Sequence, residues 1–585
     1  MGLNPSVFSS MDTADYIAVM AHGLRLDMAV AAYLTAIPTI LTVIWLWKPV
    51  KALRIIINIY LILVAAAVGV ILTMNSVLYS FWRFPLDMTP VFYFTTSPEA
   101  ASASVSWLYI TGVVIIIAVV SAAVYVIERG AWKMPVKPPT SRKSRLRLTA
   151  GCVVISGVLF LFMRGGFTVA TLNPGAAYFS DRQPLNHAAI NPAFNLLYSA
   201  THQNKLGTLG RYMDEQSAAD IFVRTREYHH EGCDSIMVVN DLRPDIYLII
   251  WESLSNQLVP SLGGEPIATH LDSIAKGGLS WRNFYANGFR TDRGIPAIIS
   301  AIPSPPAVSV MKLSDVMEDR QSIASVLRHA GYDTYYYYGG DINFTNMNAY
   351  LVSAHFNHII SDRNFPLGQR LSKWGVHDGP LADRVASELP QTEYEAPRLT
   401  VIQTSSSHEP FDVPVSFVRF ANQPPAVNAF AYTDSVVASL VKRIEESPRG
   451  RKSLIVITGD HWGCYPENLM DPDARHRIPL VVTGGALLRR GETLDAYGSQ
   501  VDIAPTVLHW LGLPANSFTF GRVLTHEDTP LYAFWFDSDR AAVINADGMA
   551  IINVDNGDVV AESGDPSLAT TLRAYLQTLY DSLSH

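Results

Sequence analysis

The residues best suited to chemistry in this 585-residue chain are one hydroxyl flanked by cations and a scatter of carboxylates and imidazoles. The hydroxyl is Thr291, in the stretch Asn287-Gly288-Phe289-Arg290-Thr291-Asp292-Arg293-Gly294-Ile295-Pro296. Two readings compete for it. As a helix N-cap, Thr291 would satisfy free backbone N–H groups ahead of a helix over Ile295–Ile302, with Pro296 tolerated in the first turns. As a nucleophile, it stands at a helix N-terminus between Arg290 and Arg293, where positive potential stabilises an alkoxide and draws in a phosphate.

The carboxylates and imidazoles are set out by strands. Continuous apolar runs occupy Ile246–Trp251, Thr334–Tyr338, Leu399–Gln403, Leu454–Thr458 and Pro479–Thr483. The first four are followed, directly or within a few residues, by Glu252, Asp341, His408 and the pair Asp460-His461. Helical patterns at Ser322–Ala330, Gly379–Leu389, Phe430–Glu445 and Gln500–Leu511 fall between the runs. Buried strands alternating with helices predict a parallel, doubly wound α/β sheet over 244–520. Such sheets bind ligands beyond the carboxyl ends of their strands. One carboxylate at a strand end is commonly a helix cap, and a lone histidine a surface group. Several together supply ligands for one divalent cation such as Zn²⁺ or Mn²⁺. A cation there would also acidify a coordinated threonine hydroxyl, which is otherwise a poor nucleophile near neutral pH.

The remaining segments frame this domain. Residues 166–243 are patterned weakly, with breakers at Pro174, Pro184 and Pro192, and read as a connector without chemistry of its own; Asn195–Thr201 and Ala218–His229 fit helices. In 521–585, runs at Leu531–Phe536, Ala541–Asn545, Met549–Asn553 and Val559–Glu562 alternate with turn signals and lead to a helix over Ser567–Ser582. This predicts a small antiparallel β-meander with a structural role.

Residues 1–165 are of another kind. Apolar runs at Met28–Trp47, Ile55–Leu78, Trp107–Ile127 and Leu148–Met163 are long enough, or nearly so, to cross a bilayer. Pro38 is acceptable inside a membrane helix. The first connection carries Lys48, Lys51 and Arg54, and the third carries Arg129, Lys133, Lys137, Arg142, Lys143, Arg145 and Arg147 against Glu128. The second, 79–106, has only Arg83 beside Asp87 and Glu99. By the positive-inside rule the first and third connections are cytoplasmic, so everything after residue 165 lies outside the cytoplasmic (inner) membrane, on the extracytoplasmic or periplasmic side. The same rule puts the N-terminus outside with no signal peptide, a placement that one more upstream helix would resolve. A net charge of −8 gives no sign of nucleic-acid binding, and Cys152, Cys233 and Cys464 form no metal or disulfide framework, although a Cys233–Cys464 bridge stays open.

In these residues the chain resembles the lipoteichoic acid synthase-like family, the phosphoglycerol/phosphoethanolamine transferase branch of the alkaline phosphatase/sulfatase superfamily. The resemblance is carried by Trp251-Glu252-Ser253-Leu254, Asn287-Gly288-Phe289-Arg290-Thr291, Ser407-His408-Glu409-Pro410-Phe411, Thr458-Gly459-Asp460-His461 and Val501-Asp502-Ile503-Ala504-Pro505-Thr506, five motifs in order across 244–520. It implies one divalent cation (Mn²⁺, Mg²⁺ or Zn²⁺) held by Glu252, Thr291, Asp460 and His461, with Thr291 as nucleophile. It also implies that His408 contacts the phosphoryl group or shuttles a proton, and that His476 lies near the site. There are two departures. The family's Trp-Asn-Arg is replaced by Thr345-Asn346-Met347, which removes two residues that hold glycerol phosphate and leaves Asn346, with Arg290 or Arg293 as candidate replacements for the charge. The family also has five membrane helices where four are legible here.

The expected activity is therefore transfer of a phospholipid head group (phosphoglycerol or phosphoethanolamine) through a phospho-threonine to an envelope glycan, lipid or polymer. A phosphodiesterase would use the same residues. A sulfatase ranks lower, because Thr291-Asp292-Arg293-Gly294 lacks the Cys/Ser-x-Pro-x-Arg pattern needed for formylglycine. A non-catalytic membrane sensor or scaffold is the rival from another class, and the intact set Glu252, Thr291, Asp460 and His461 argues against it.

Overall fold

A computed structural model of the chain describes all residues except 1–7, 9–10, 83–84, 89, 91–106, 133–136, 168–171, 181, 203–209, 227–238, 240–242, 307, 319, 393–394, 421, 464, 467–468, 470, 527–531, 538–539, 555 and 585. Cys233, Cys464, most of the second membrane connection and the end of the helix expected to reach His229 lie outside the described residues. The chain divides into two compact units, Met1–Gln203 and Asn204–His585.

In the first unit, helices α1 (Thr13–Trp47), α2 (Lys51–Trp82), α3 (Trp107–Ala131) and α4 (Arg142–Arg164) are each long and apolar enough to cross a membrane. None of the residues of α3 or α4 is fully buried: α3 packs along α2 and α4 along α1, and the rest of their apolar surface faces outward, as hydrocarbon requires. Helix α1 begins well before the apolar run at Met28. Its polar first half is satisfied by 165–191: Arg25 donates to the Gly165 carbonyl, Arg182 pairs with Asp15, and Asn191 donates to Asp27 at 2.7 Å. These partners let charged residues extend a helix that apolar periodicity alone would have started later.

The stretch expected as a connector, 166–243, divides between the units. Helices Gln183–Ala189 and Pro192–His202 belong to the first. Residues around Tyr212 belong to the second, where Gln577 accepts from the Tyr212 N–H at 2.9 Å and the Tyr212 hydroxyl donates to the Val554 carbonyl at 2.6 Å.

The second unit is built on an eight-stranded sheet formed by β1 (Asp245–Trp251), β2 (Leu279–Tyr285), β3 (Asp333–Tyr338), β4 (His358–Ile360), β5 (Arg398–Gln403), β6 (Ser453–Gly459), β7 (Leu480–Thr483) and β8 (Glu492–Ser499), in the spatial order β4-β3-β5-β1-β6-β7-β2-β8. Along β1, Ile246, Leu248 and Ile250 enter one core while Tyr247, Ile249 and Trp251 enter the core on the opposite face. This two-sided burial explains the continuous apolar run.

The sheet is mixed. Strand β7, expected among parallel strands, is antiparallel to both β6 and β2. Two reversals cancel, so β2 again points the same way as β1 and β6. Strands β2 and β8 escaped the sequence reading because polar residues interrupt their apolar runs: Ser280, Arg282 and Asn283 in β2, Glu492 and Asp495 in β8. The C-terminal meander is present as β9 (Tyr532–Phe536), β10 (Arg540–Asn545), β11 (Gly548–Asn553) and β12 (Val559–Gly564), closed by the helix Ser567–Ser584.

Candidate active site

Register places the central carboxylates. Strands β1 and β6 pair in parallel with Trp251 opposite Gly459, so the next residues, Glu252 and Asp460, leave the sheet side by side. Ser253 turns the chain sharply with φ 62°, and its N–H donates to Asp460 Oδ1 at 2.8 Å. Its hydroxyl donates to Glu252 Oε1 at 2.7 Å. The neighbouring strand, β5, ends in Thr404-Ser405-Ser406-Ser407, whose hydroxyls hold Glu252 from behind. Thr404 Oγ1 accepts the Glu252 N–H at 3.0 Å, and Ser407 donates to the Glu252 carbonyl at 2.6 Å. That loop is fixed in turn by the buried Asp378, which accepts from the Ser405 N–H and the Thr433 hydroxyl at 2.8 and 2.7 Å.

Thr291 reaches this pair from the loop that follows β2. It is the first residue of the helix Thr291–Ser300, whose N-cap is Arg290, so the expected threonine cap is displaced by one position and the helix starts four residues earlier. The helix end comes very close to β6, because a Cβ on Gly294 would lie 2.2 Å from the Asp460 carbonyl. Only glycine permits that approach. Thr291 Oγ1 consequently lies 3.1 Å from Glu252 Oε2 and 3.3 Å from His461 Nε2.

A buried amide clamps the two loops. Gln500 accepts the Asn287 N–H at 2.9 Å and donates to the Gly459 and Asp460 carbonyls at 2.9 and 2.7 Å. Asn287 donates to the Phe534 carbonyl in β9 at 3.0 Å.

The electrostatics of the cluster favour an added cation. Glu252, Asp460 and His461 are buried with ligand atoms within 4.8 Å of one another. His461 Nδ1 donates to the Trp462 carbonyl at 2.7 Å, which leaves Nε2, 3.5 Å from both Glu252 and Asp460, free to accept. Asp460 Oδ2 is buried without a hydrogen-bond partner. Burial, reinforced by the negative charge of Glu252, pushes the Asp460 carboxyl up to about 7. Burial pulls the His461 imidazole down, but Asp460 and Glu252 outweigh it and hold the ring above its ordinary value. Two crowded carboxylates, an orphaned oxygen and an oriented imidazole fit a divalent cation, with the Thr291 hydroxyl as a further donor.

The cluster opens into a cavity of about 600 Å³ lined by Thr291, Arg290, His408, His461 and His476 among others. His408 Nδ1 donates to the Glu409 carbonyl at 3.0 Å, and its ring packs on Trp374 at 4.2 Å. Burial holds this imidazole below its usual value, so it is neutral near pH 7 with Nε2 unprotonated. His476 stacks on Trp535 at 4.4 Å, with Nε2 3.3 Å from Asp537. Burial raises the Asp537 carboxyl, but the hydrogen bond and charge of His476, with Arg540 and Arg475, bring it below the usual range.

The structure corrects several expectations. Arg293 is buried and donates to the Pro305 and Pro306 carbonyls at 2.6 and 3.0 Å, so its charge is spent on the backbone and does not face the cavity. Asn346 is also buried and donates to the Met311 carbonyl at 3.1 Å; its neighbour Thr345 lines the cavity instead. Asp341 caps its own turn through Asn343 and lies outside the cavity. The meander is more than structural, because Asp537, just after β9, forms part of the wall.

Lys312, Trp374 and Arg475 were missed. Lys312 pairs with Asp292 at 3.0 Å, and Arg475 lies over the Trp462 ring at 5.2 Å. A lone tryptophan between polar turns and an arginine adjoining His476 were the only traces of them in the sequence.

The fold of the second unit is alkaline phosphatase/sulfatase-like. Residues 244–513, a little under half of the chain, match the family model described as Sulfatase. A phosphoglycerol transferase I of Xanthomonas campestris pv. campestris is 26% identical over 309 residues, covering 49% of this chain and 43% of the relative. Lipoteichoic acid synthase 2 of Bacillus subtilis is 23% identical over 223 residues, covering 34% of this chain and 33% of the relative. The matched stretch thus spans less than half the length of these curated relatives. Among solved structures, an alkaline phosphatase superfamily protein from Vibrio parahaemolyticus superposes with TM-score 0.58 at 22% identity, covering 65% of this chain and 98% of its own. The lipoteichoic acid synthase LtaP from Listeria monocytogenes does so with TM-score 0.52 at 15% identity, covering 64% and 98%.

Proposed function

We propose that this protein is a membrane-anchored phosphotransferase, acting outside the cytoplasmic membrane, that moves a phospholipid head group to a cell-envelope acceptor through a phospho-threonine at Thr291. The observation that carries the reading is the Thr291 hydroxyl 3.1 Å from Glu252 and 3.3 Å from His461 at the floor of an open cavity. Relatives named phosphoglycerol transferase and lipoteichoic acid synthase support transfer of a phosphoglycerol-type group, and phosphatidylglycerol or phosphatidylethanolamine is the donor proposed.

A divalent cation (Mn²⁺, Mg²⁺ or Zn²⁺) held by Glu252, Asp460, His461 and Thr291 would supply Lewis-acid activation of the hydroxyl and neutralise charge on the phosphoryl oxygens. In the first half-reaction Thr291 Oγ bonds to phosphorus, the bond from phosphorus to the diacylglycerol oxygen breaks, and the threonine proton leaves to solvent. His408, when protonated, gives its proton to the departing diacylglycerol oxygen. In the second half, neutral His408 takes the proton of the acceptor hydroxyl, that oxygen bonds to phosphorus, and the bond to Thr291 Oγ breaks, with the threonine reprotonated from solvent. Arg290 and Lys312 contribute positive charge where the equatorial oxygens lie. Water in place of the acceptor gives a phosphodiesterase with the same first step.

The test is diacylglycerol release by full-length protein in phosphatidylglycerol or phosphatidylethanolamine proteoliposomes. Release from the wild type and none from Thr291→Ala is expected. Equal release from both overturns the assignment.

A further inference from the structure

The second unit carries an apolar rim beside the mouth of its cavity. Among its described residues, apart from Val223, Leu488, Val559 and Val560, every strongly exposed large apolar side chain lies on two loops. These are 367–374, with Leu367 (80% exposed) and Leu371 (72%), and 415–420, with Val415 (91%), Val418 and Phe420. Their exposure is imposed by polar contacts. The buried Asn428 side chain accepts from the Arg419 and Phe420 N–H groups at 2.9 and 3.0 Å, and Phe417 packs edge-on against Tyr432 at 5.0 Å. Arg370 holds the other loop through the Phe365 carbonyl at 2.9 Å. Loops fixed in this way present their apolar side chains steadily, and such patches on a soluble surface mark an interaction site.

The rim adjoins the cavity. Trp374, in the first loop, lines the cavity, packs on His408 and donates to the Glu409 carbonyl at 2.7 Å. Lys373 N–H donates to Asp412 at 3.2 Å, which ties the first loop to the segment leading into the second. Arg363, Lys373 and Arg419 are exposed among the apolar residues, against Glu409 and Asp412.

We infer that loops 367–374 and 415–420 insert into the interfacial zone of an anionic phospholipid bilayer and set the cavity mouth against it. Three observations select a bilayer over a protein partner. Four helices of the same chain are long and apolar enough to hold the second unit beside a membrane. Apolar tips fringed by lysine and arginine match an acyl boundary under anionic head groups. The rim also continues into the cavity wall, so a lipid head group would reach Thr291 without its chains leaving the bilayer. Only this last argument rests on the function proposed above.

The experiment uses full-length protein in phosphatidylglycerol-containing nanodiscs, in a background with Cys152, Cys233 and Cys464 replaced by serine. Spin labels are attached at Val415→Cys, Leu367→Cys and, for reference, Val560→Cys. At positions 415 and 367 the expected result is a several-fold higher accessibility to oxygen relative to a water-soluble nickel chelate than at 560. Accessibility at 415 and 367 equal to that at 560 overturns the inference. Protection from both reagents also overturns it, because a protein would then cover the rim.

A second readout separates this inference from the function. Val415→Glu with Leu367→Glu should lower turnover of bilayer phosphatidylglycerol by about tenfold or more and leave turnover of a short-chain, monomeric phosphatidylglycerol unchanged. Equal loss on both substrates overturns the docking role. If the labels enter the bilayer and neither substrate is turned over by the unmodified protein, docking stands and the phosphotransferase reading fails.

Discussion

The two walls of the cavity are built differently. The Thr291 wall descends from the central sheet: Glu252 and Asp460 leave adjacent strands in register, and Gln500 ties the Asn287 loop to the Asp460 carbonyl. The rest of the lining comes from loops and the meander, with Lys312, Thr345, Trp374, Arg475 and Asp537 drawn from segments far apart in sequence. A sheet fixes atoms to within the tolerance of a hydrogen bond, which bond making at phosphorus demands. Loops tolerate substitution and can be retuned to a different head group or acceptor. In the proposed function, chemistry falls to the sheet-built residues and recognition to the loop-built ones.

Substitutions can break or sharpen this division. On the rigid wall, Thr291→Ala should cost at least about 10⁴-fold in phospholipid turnover with little change in folding, while Thr291→Ser keeps a nucleophile and retains measurable turnover; both are read by diacylglycerol release. Asp460→Asn should weaken divalent-cation binding by more than about 100-fold, measured by calorimetry on chelator-stripped protein. Gln500→Ala removes no ligand but frees the Asp460 loop, and should cost about ten- to a hundredfold in the same assay. An effect of Gln500→Ala on substrate affinity alone would blur the division.

Smaller effects belong to the loop-built lining. Burial holds the His408 imidazole below its ordinary value near 6.5, so its neutral form persists below that pH and the acid limb of the acceptor half-reaction should lie below 6.5. Trp374→Ala uncovers the ring and should move that limb upward toward about 6.5. A downward shift would contradict the burial argument. Lys312→Ala should raise KM a few-fold, on the order of one charge-assisted contact, with kcat nearly kept.

The same division explains how much could be read from the sequence. Glu252, Asp460, His461 and Thr291 were legible because strand ends and a helix start announce themselves through apolar runs followed by polar residues. The sheet then brings those ends together whatever the loops do. Arg293 misled because its neighbours suggested a free charge, and only the fold reveals the two proline carbonyls that consume it. Asn346 misled in the same way, through the Met311 carbonyl. Trp374 left only a lone tryptophan between polar turns and Asp537 only a turn signal, since their role depends on loop paths and on where the meander packs. Strand β7 was found with its direction wrong, because an apolar run records burial and says nothing about polarity of pairing.

In the proposed mechanism Thr291 carries the phosphoryl group. Its most direct test is intact-protein and peptide mass spectrometry of the full-length His408→Ala variant after incubation with native phospholipids, where loss of the histidine should slow release of the intermediate. The expected result is a covalent adduct on Thr291 whose mass equals a phosphoglycerol or phosphoethanolamine group and so names the donor. A modification found only at another residue, under conditions where the wild type turns over lipid, would contradict it.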